Sequence, residues 1–170
     1  MRKLTVAKLV QKIDLMRNKT TQVIESTAAN RAEAVVKLFK QNIKGGKFQP
    51  PLKPETIKAK RKKGMPLPQV PLYGWGESEK NSMYNGLRIK KLGNGKYEIK
   101  PYGKHVDGKT KKQVNMQLLF AVHETGAHLK NGGKIPARKP LQRTVEMFVK
   151  QPEYKDYLKK QAQEFAKAKK

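Results

Sequence analysis

Three side chains able to do chemistry stand close together late in the chain: His123, Glu124 and His128. A His-Glu pair followed by a second His invites a zinc-hydrolase reading, in which two imidazoles four residues apart on one helical face hold the metal and the Glu serves as base. Here the spacing is five. On a helix turning about 100° per residue the two rings would diverge by about 140°. Gly126 also lies between them as a natural helix end, since a residue without Cβ enters the left-handed conformation cheaply. His123 and Glu124 are therefore expected to cap, to hydrogen-bond or to pair with Arg138, anchoring a loop. The planar guanidinium of Arg138 can hold a carboxylate bidentately, either Glu124 within the subunit or an acidic residue on the next one.

The remaining chemistry is sparse. The 13 carboxylates are scattered among lysines rather than paired in an apolar setting, and no Gly-x-Ser-x-Gly nucleophile turn occurs. Gly93-x-Gly95 sits between two strand-like runs and opens no helix, and no phosphate-binding loop is expected. Without cysteine there are no disulfides, no zinc fingers and no thiol chemistry. The chain reads as non-enzymatic, with no cofactor and no metal.

The segment holding these side chains, Gln117 to Phe148, has three parts. An apolar run ends at His123-Glu124-Thr125-Gly126, a polar Gly-rich loop follows, and Ile135-Pro136-Ala137-Arg138 leads into an amphipathic helix. Pro136 keeps its neighbours extended, and Pro140 suits a first helical turn, with Leu141, Val145 and Phe148 recurring at helical spacing. Val114 to Glu124 fits a strand or a helix, and a helix starting near Asn115 is favoured. Upstream, Gly86 to Leu92 and Lys96 to Lys100 alternate apolar and polar residues around Gly93-Asn94-Gly95, which predicts a hairpin over 87–100. Pro101 ends it, and Tyr102 to Lys112 reads as a basic loop.

From about Thr5 to Ile43 there is neither Pro nor Gly, and Leu9, Ile13, Met16, Val23, Ala28, Val35 and Phe39 recur mostly at helical steps. Residues 1–43 are thus expected to hold one long amphipathic helix, up to roughly 60 Å at about 1.5 Å per residue. Asn18-Lys19-Thr20-Thr21 is its weakest stretch, where a kink or a break would fall, and Gly45-Gly46 ends it. Such a helix is too long for so small a domain to cover, so part of its apolar stripe should meet a neighbouring copy.

Residues 44–70 form a connector dense in Pro and Lys. Glu55 to Lys63 allows a short helix, while the surrounding prolines favour extended chain. Its basic run makes Lys58, Lys60, Arg61, Lys62 and Lys63 candidate contacts to DNA or to an acidic partner. Residues 71–150 are read as a sheet-containing core, in which Tyr73-Gly74-Trp75-Gly76 is a turn seating the sole Trp as a packing anchor and Ser78 to Met83 is one helical turn. Residues 153–170 place Tyr154, Tyr157, Leu158, Ala162, Phe165 and Ala166 on one face of a C-terminal helix.

At 170 residues one domain is the default. Lys and Arg outnumber Asp and Glu by 39 to 13, a formal charge of +26, so an acidic partner is expected, nucleic acid or an acidic protein surface. No apolar run is long enough for a signal peptide or for the roughly 20 residues of a membrane span. The fold class that results is α+β: a long N-terminal helix packed on a small, mainly antiparallel β-sheet, with C-terminal helices.

The motifs also carry a family resemblance. His123-Glu124-x-Gly126, a Gly-containing loop and Ile135-Pro136-Ala137-Arg138-x-Pro140-Leu141 resemble the C-terminal signature of phage tail-completion or neck proteins. That family includes the virion morphogenesis proteins of Mu-like phages and the small head-tail joining proteins of long-tailed phages. Pro51-Leu52-Lys53-Pro54-Glu55-Thr56-Ile57 with Lys60, and Pro71-Leu72-Tyr73-Gly74 to Ser82, are similar to the family's upstream pattern, in the expected order. The family's Thr-Gly-x-Leu turn is here Tyr73-Gly74-Trp75-Gly76, and its aromatic after Ala-Arg-Pro is here Leu141 after Lys139-Pro140.

The resemblance implies a structural virion protein that joins tail to head, or completes the tail, as a homo-oligomeric ring, a hexamer by analogy, through which DNA passes. Its partners would be connector or adaptor proteins and tail-tube or tail-terminator proteins, with transient DNA contact and no membrane. It would be made in the host cytoplasm and reside in the virion. Gly74, Trp75, His123, Glu124, Gly126, Ile135, Pro136, Ala137 and Arg138 would be its assembly and structural residues. The alternative is a basic DNA- or RNA-binding protein organised by the basic loops and the Lys-rich C-terminal helix.

Overall fold

Helix α1 runs from Val6 to Lys44 without a break in a computed structural model that describes residues 6–73, 82–106, 113–130 and 132–168. The Asn18–Thr21 stretch, expected as a kink or a break, does not break the helix. Thr21 Oγ1 donates to the Arg17 carbonyl at 3.0 Å, which satisfies the hydroxyl inside the helix rather than in a competing turn. Gly46, at φ +65°, ends α1, and the N–H groups of Gly45, Gly46 and Lys47 close on the carbonyls of Gln41, Ile43 and Asn42.

Only the C-terminal half of α1 enters the core. Phe39 and Ile43 are fully buried against Phe48, Val70, Tyr73, Met83, Leu87, Met116 and Phe120. The Phe39 ring lies 6.0 Å from Phe48 and 5.7 Å from Phe120, so one side chain joins α1 to the segment after it and to a helix about 80 residues on. Helix α2, Pro54–Lys62, then forms within the connector. Pro54 occupies its first turn, where the missing N–H costs nothing, so the helical option prevails over the extended one.

Strands β1 (Leu87–Gly93) and β2 (Lys96–Pro101) make the expected hairpin, with Leu87 opposite Pro101, Ile89 opposite Ile99 and a bulge between Lys91 and Gly93. Asn94 and Gly95 both take positive φ at the turn. The hairpin tip rests on α1: a Cβ at Gly95 would overlap Ile24, and Lys91 Nζ meets Glu25 Oε2 at 2.8 Å.

The basic loop expected over Tyr102–Lys112 needs correcting. Lys104–Val106 is a strand, β3, because its backbone finds antiparallel partners in β4 (Gln113–Asn115), the segment that feeds the next helix. That helix, α3, spans Met116–Thr125, and the side chain of Asn115 accepts the Gln117 N–H at 2.9 Å as its cap. A third pair, β5 (Ala127–His128) and β6 (Lys134–Ile135), follows. The fold is therefore α+β, its sheet content divided among three separate antiparallel pairs.

Helices α4 (Pro140–Lys150) and α5 (Pro152–Ala168) finish the chain. Val145, expected on the inner stripe of α4, is 50% exposed, and Thr144 is 1% exposed in its place. Thr144 tolerates burial because its hydroxyl donates to the Pro140 carbonyl at 2.7 Å. Tyr154 of α5 packs on Phe148, with ring centroids 5.1 Å apart, and lies under the Arg31 guanidinium of α1. The Gly74-Trp75 turn and residues 78–81 of the expected Ser78–Met83 turn lie outside the described residues; Met83–Asn85 is a short 3₁₀ turn. Among the described residues no helix is long and apolar enough to cross a membrane.

Candidate functional site

The residues singled out around His123 converge on one corner, where the end of α3, the β5–β6 hairpin, the start of α4 and the connector meet. Gly126 makes the first bend. It takes φ +79°, its N–H returns to the Val122 carbonyl at 2.8 Å, and a Cβ there would stand 3.0 Å from the Ile135 carbonyl and 3.1 Å from the Ala137 nitrogen. Both of those neighbours are backbone, so the position needs glycine for space as well as for conformation.

Beyond the hairpin, Ile135-Pro136-Ala137-Arg138 runs back past the end of α3. The His123 carbonyl accepts the N–H groups of Arg138, at 2.7 Å, and Lys139, at 3.0 Å. The Glu124 carboxylate accepts the N–H of Leu141. Lys139 cannot cap α4, since it sits in the left-handed region at φ 49° and gives no side-chain hydrogen bond, so α4 takes its cap from α3. Glu124 therefore caps rather than pairing with Arg138.

Arg138, 5% exposed, donates from Nε to the Pro50 carbonyl at 3.2 Å, and Arg143 reaches the Gln49 carbonyl at 3.2 Å. The bidentate clamp on Glu124 does not form; the guanidinium ties the corner to the connector. From the other side Lys60 of α2 donates to the carbonyls of Val70, at 2.8 Å, and Tyr73, at 2.7 Å. The basic run thus divides by helical face: Lys58, Arg61, Lys62 and Lys63 are exposed, while Lys60 holds two loop carbonyls.

Three basic groups share this corner, and their titration reflects it. Burial, and then the Arg138 charge, push His123 down to about 4 and Lys60 down to about 8, and burial also lowers Arg138. His123 is neutral at pH 7, and its Nδ1 is buried without a hydrogen-bond partner. A pocket of 280 Å³ opens beside Lys60, Ser82, His105 and His123. A wider groove of 680 Å³, lined in part by Arg138, lies between Pro50–Lys53 and the β5–β6 hairpin.

His128 lies on β5, past the Gly126 bend and exposed, so it belongs to a different element from His123. Among the described residues no group of three or more His, Asp or Glu could hold a metal. Gly74 and Trp75 lie outside the described residues. Neither a family model, nor a curated protein, nor a solved structure matches the chain.

The sequence reading passed over two features. Gly103-Lys104-His105-Val106-Asp107-Gly108-Lys109-Thr110 does have the phosphate-loop spacing Gly-x-x-x-x-Gly-Lys-Thr, contrary to the expectation of none. A phosphate loop joins a strand to a helix, whereas here positions 104–106 are themselves the paired strand β3. The role of Lys60 was also hidden, because a basic run in sequence does not show which of its members turns inward; its helical offset from Lys58 and Lys62 was the available signal.

Proposed function

We infer that the chain is a structural assembly protein, a subunit of a ring at a phage head-tail junction or tail end. The observation that carries this reading is the apolar surface α1 leaves uncovered. Val10 and Ile13, about one helical turn apart, are each 51% exposed, and no described side chain from Val10 to Ser26 is buried. A helix that displays an apolar stripe over so many turns is satisfied by another chain laid against it. The motif resemblance supplies the class of assembly, and the charge of +26 suits acidic neighbours and passing DNA.

In this mechanism the corner at Arg138 holds α2, α3 and α4 in one rigid arrangement, and α1 provides the subunit contact. The ring then presents a fixed surface to connector and tail proteins in the virion. Sedimentation and native mass spectrometry test it. The expected result is a closed oligomer, alone or with portal, adaptor or tail-tube proteins, reduced to monomer by Val10→Asp with Ile13→Asp at unchanged helicity. A wild-type chain that stays monomeric and binds none of those components overturns the reading.

A second reading, nucleic-acid binding, is favoured by the exposed cations Lys58, Arg61, Lys62 and Lys63 on and just after α2. It requires tight binding to duplex or single strand that weakens steeply with salt. Absence of binding at moderate salt removes it.

A further inference from the structure

We propose that the groove between Pro50–Lys53 and the β5–β6 hairpin docks an extended, acidic segment of a partner protein. At 680 Å³ it falls within the roughly 300–1,000 Å³ of binding clefts. Lys53, Lys134 and Arg138 supply its fixed charges, and among the described residues no Asp or Glu lines it. Leu52, Ile135 and Pro136 provide apolar surface between those cations. A chain alternating carboxylates with apolar side chains matches both features.

The backbone adds direction. Leu129 N–H donates to the Gly133 carbonyl at 2.8 Å and Ala127 faces Ile135, so in this alternating ladder the N–H and C=O groups of His128 and Lys134 turn outward. Each edge of the hairpin thus offers one N–H and one C=O to an added strand, those of His128 on the β5 edge or those of Lys134 on the β6 edge. On the opposite wall Pro50 and Pro51 have no N–H to give, and the Pro50 carbonyl already serves Arg138. The guest therefore pairs with the hairpin and packs its other edge on the prolines.

Two other occupants fit less well. Single-stranded nucleic acid is gripped by aromatic platforms, and among the described residues no Phe, Tyr or Trp lines this groove. A second copy of this chain has its 13 carboxylates dispersed among 39 basic residues, and no segment of it alternates carboxylates with apolar side chains. The docking inference does not depend on ring formation.

Fluorescence anisotropy on the full chain, with a fluorescein-labelled hexapeptide of alternating Asp and Val, tests it. The expected result is saturable binding that is lost when Ser replaces Asp in the peptide. Lys53→Glu with Lys134→Glu, both at exposed positions, should weaken it about tenfold or more, while Lys58→Glu with Lys62→Glu on α2 should leave it within about twofold. Circular dichroism checks that each variant is folded. No binding by the peptide, equal weakening by the α2 variant, or tighter binding of an equally charged oligonucleotide through Lys53 and Lys134 overturns the proposal. Because the readout is peptide affinity, its failure is distinct from failure to oligomerise.

Discussion

The carboxylate of Glu124, in the last turn of α3, accepts the N–H of Leu141, in the first turn of α4. One helix thereby caps another across the Gly126 bend. Removing the acceptor with Glu124→Ala leaves a helix N-terminus unsatisfied and should lower stability by about 1–2 kcal/mol, whereas Glu124→Gln, which keeps a side-chain oxygen, should lose less. Urea denaturation of the two variants checks the order; equal losses would mean that the charge, not the hydrogen bond, is what matters.

His123 makes stability depend on pH. Its folded value of about 4 lies below the usual 6.5, so between those values the unfolded chain binds a proton that the folded chain refuses. The stability is complete above pH 6.5 and declines as pH falls toward 4. The expected loss from this group is about 1–2 kcal/mol between pH 7 and pH 5. His123→Gln should flatten that part of the profile, and an unchanged slope would show that His123 titrates normally.

Lys60 and Lys62 lie two residues apart on α2 with different fates. Lys60→Ala strips a donor from the carbonyls of Val70 and Tyr73 and should cost about 1–3 kcal/mol. Lys62→Ala, at an exposed position, should stay within about 0.5 kcal/mol of the parent. Thermal melts of the pair decide whether the inward turn of Lys60 matters.

Gly126 and Gly132 have nearly the same positive φ, +79° and +78°, but only Gly126 has backbone atoms where a Cβ would go. Gly132→Ala should therefore show the conformational cost alone, about 1 kcal/mol. Gly126→Ala should add a steric cost and fall in the range of about 2–3 kcal/mol. Equal melting temperatures would place the bend elsewhere.

Much of the local structure was legible because local rules govern it. The long α1 follows from a run without Pro or Gly, the β1–β2 hairpin from alternation around Asn94-Gly95, and the start of α3 from the capping oxygen of Asn115. The departures have non-local causes. Strand β3 exists because a segment several residues later returns beside it. Val145 faces outward and Thr144 inward because the direction from which α4 is covered is set by its neighbours.

The same division runs through the candidate site. The sequence alone determined that His123, Glu124 and Gly126 end a helix and that Pro140 begins the next, since caps, bends and first turns depend on residues a few places apart. Only the tertiary structure decided that Arg138 grips Pro50, 88 residues away, that Glu124 turns to Leu141 instead, and that Lys60 faces inward. Hydrogen-bond partners of that kind are chosen by which backbone groups burial leaves unsatisfied, and that choice exists only once distant segments have been brought together.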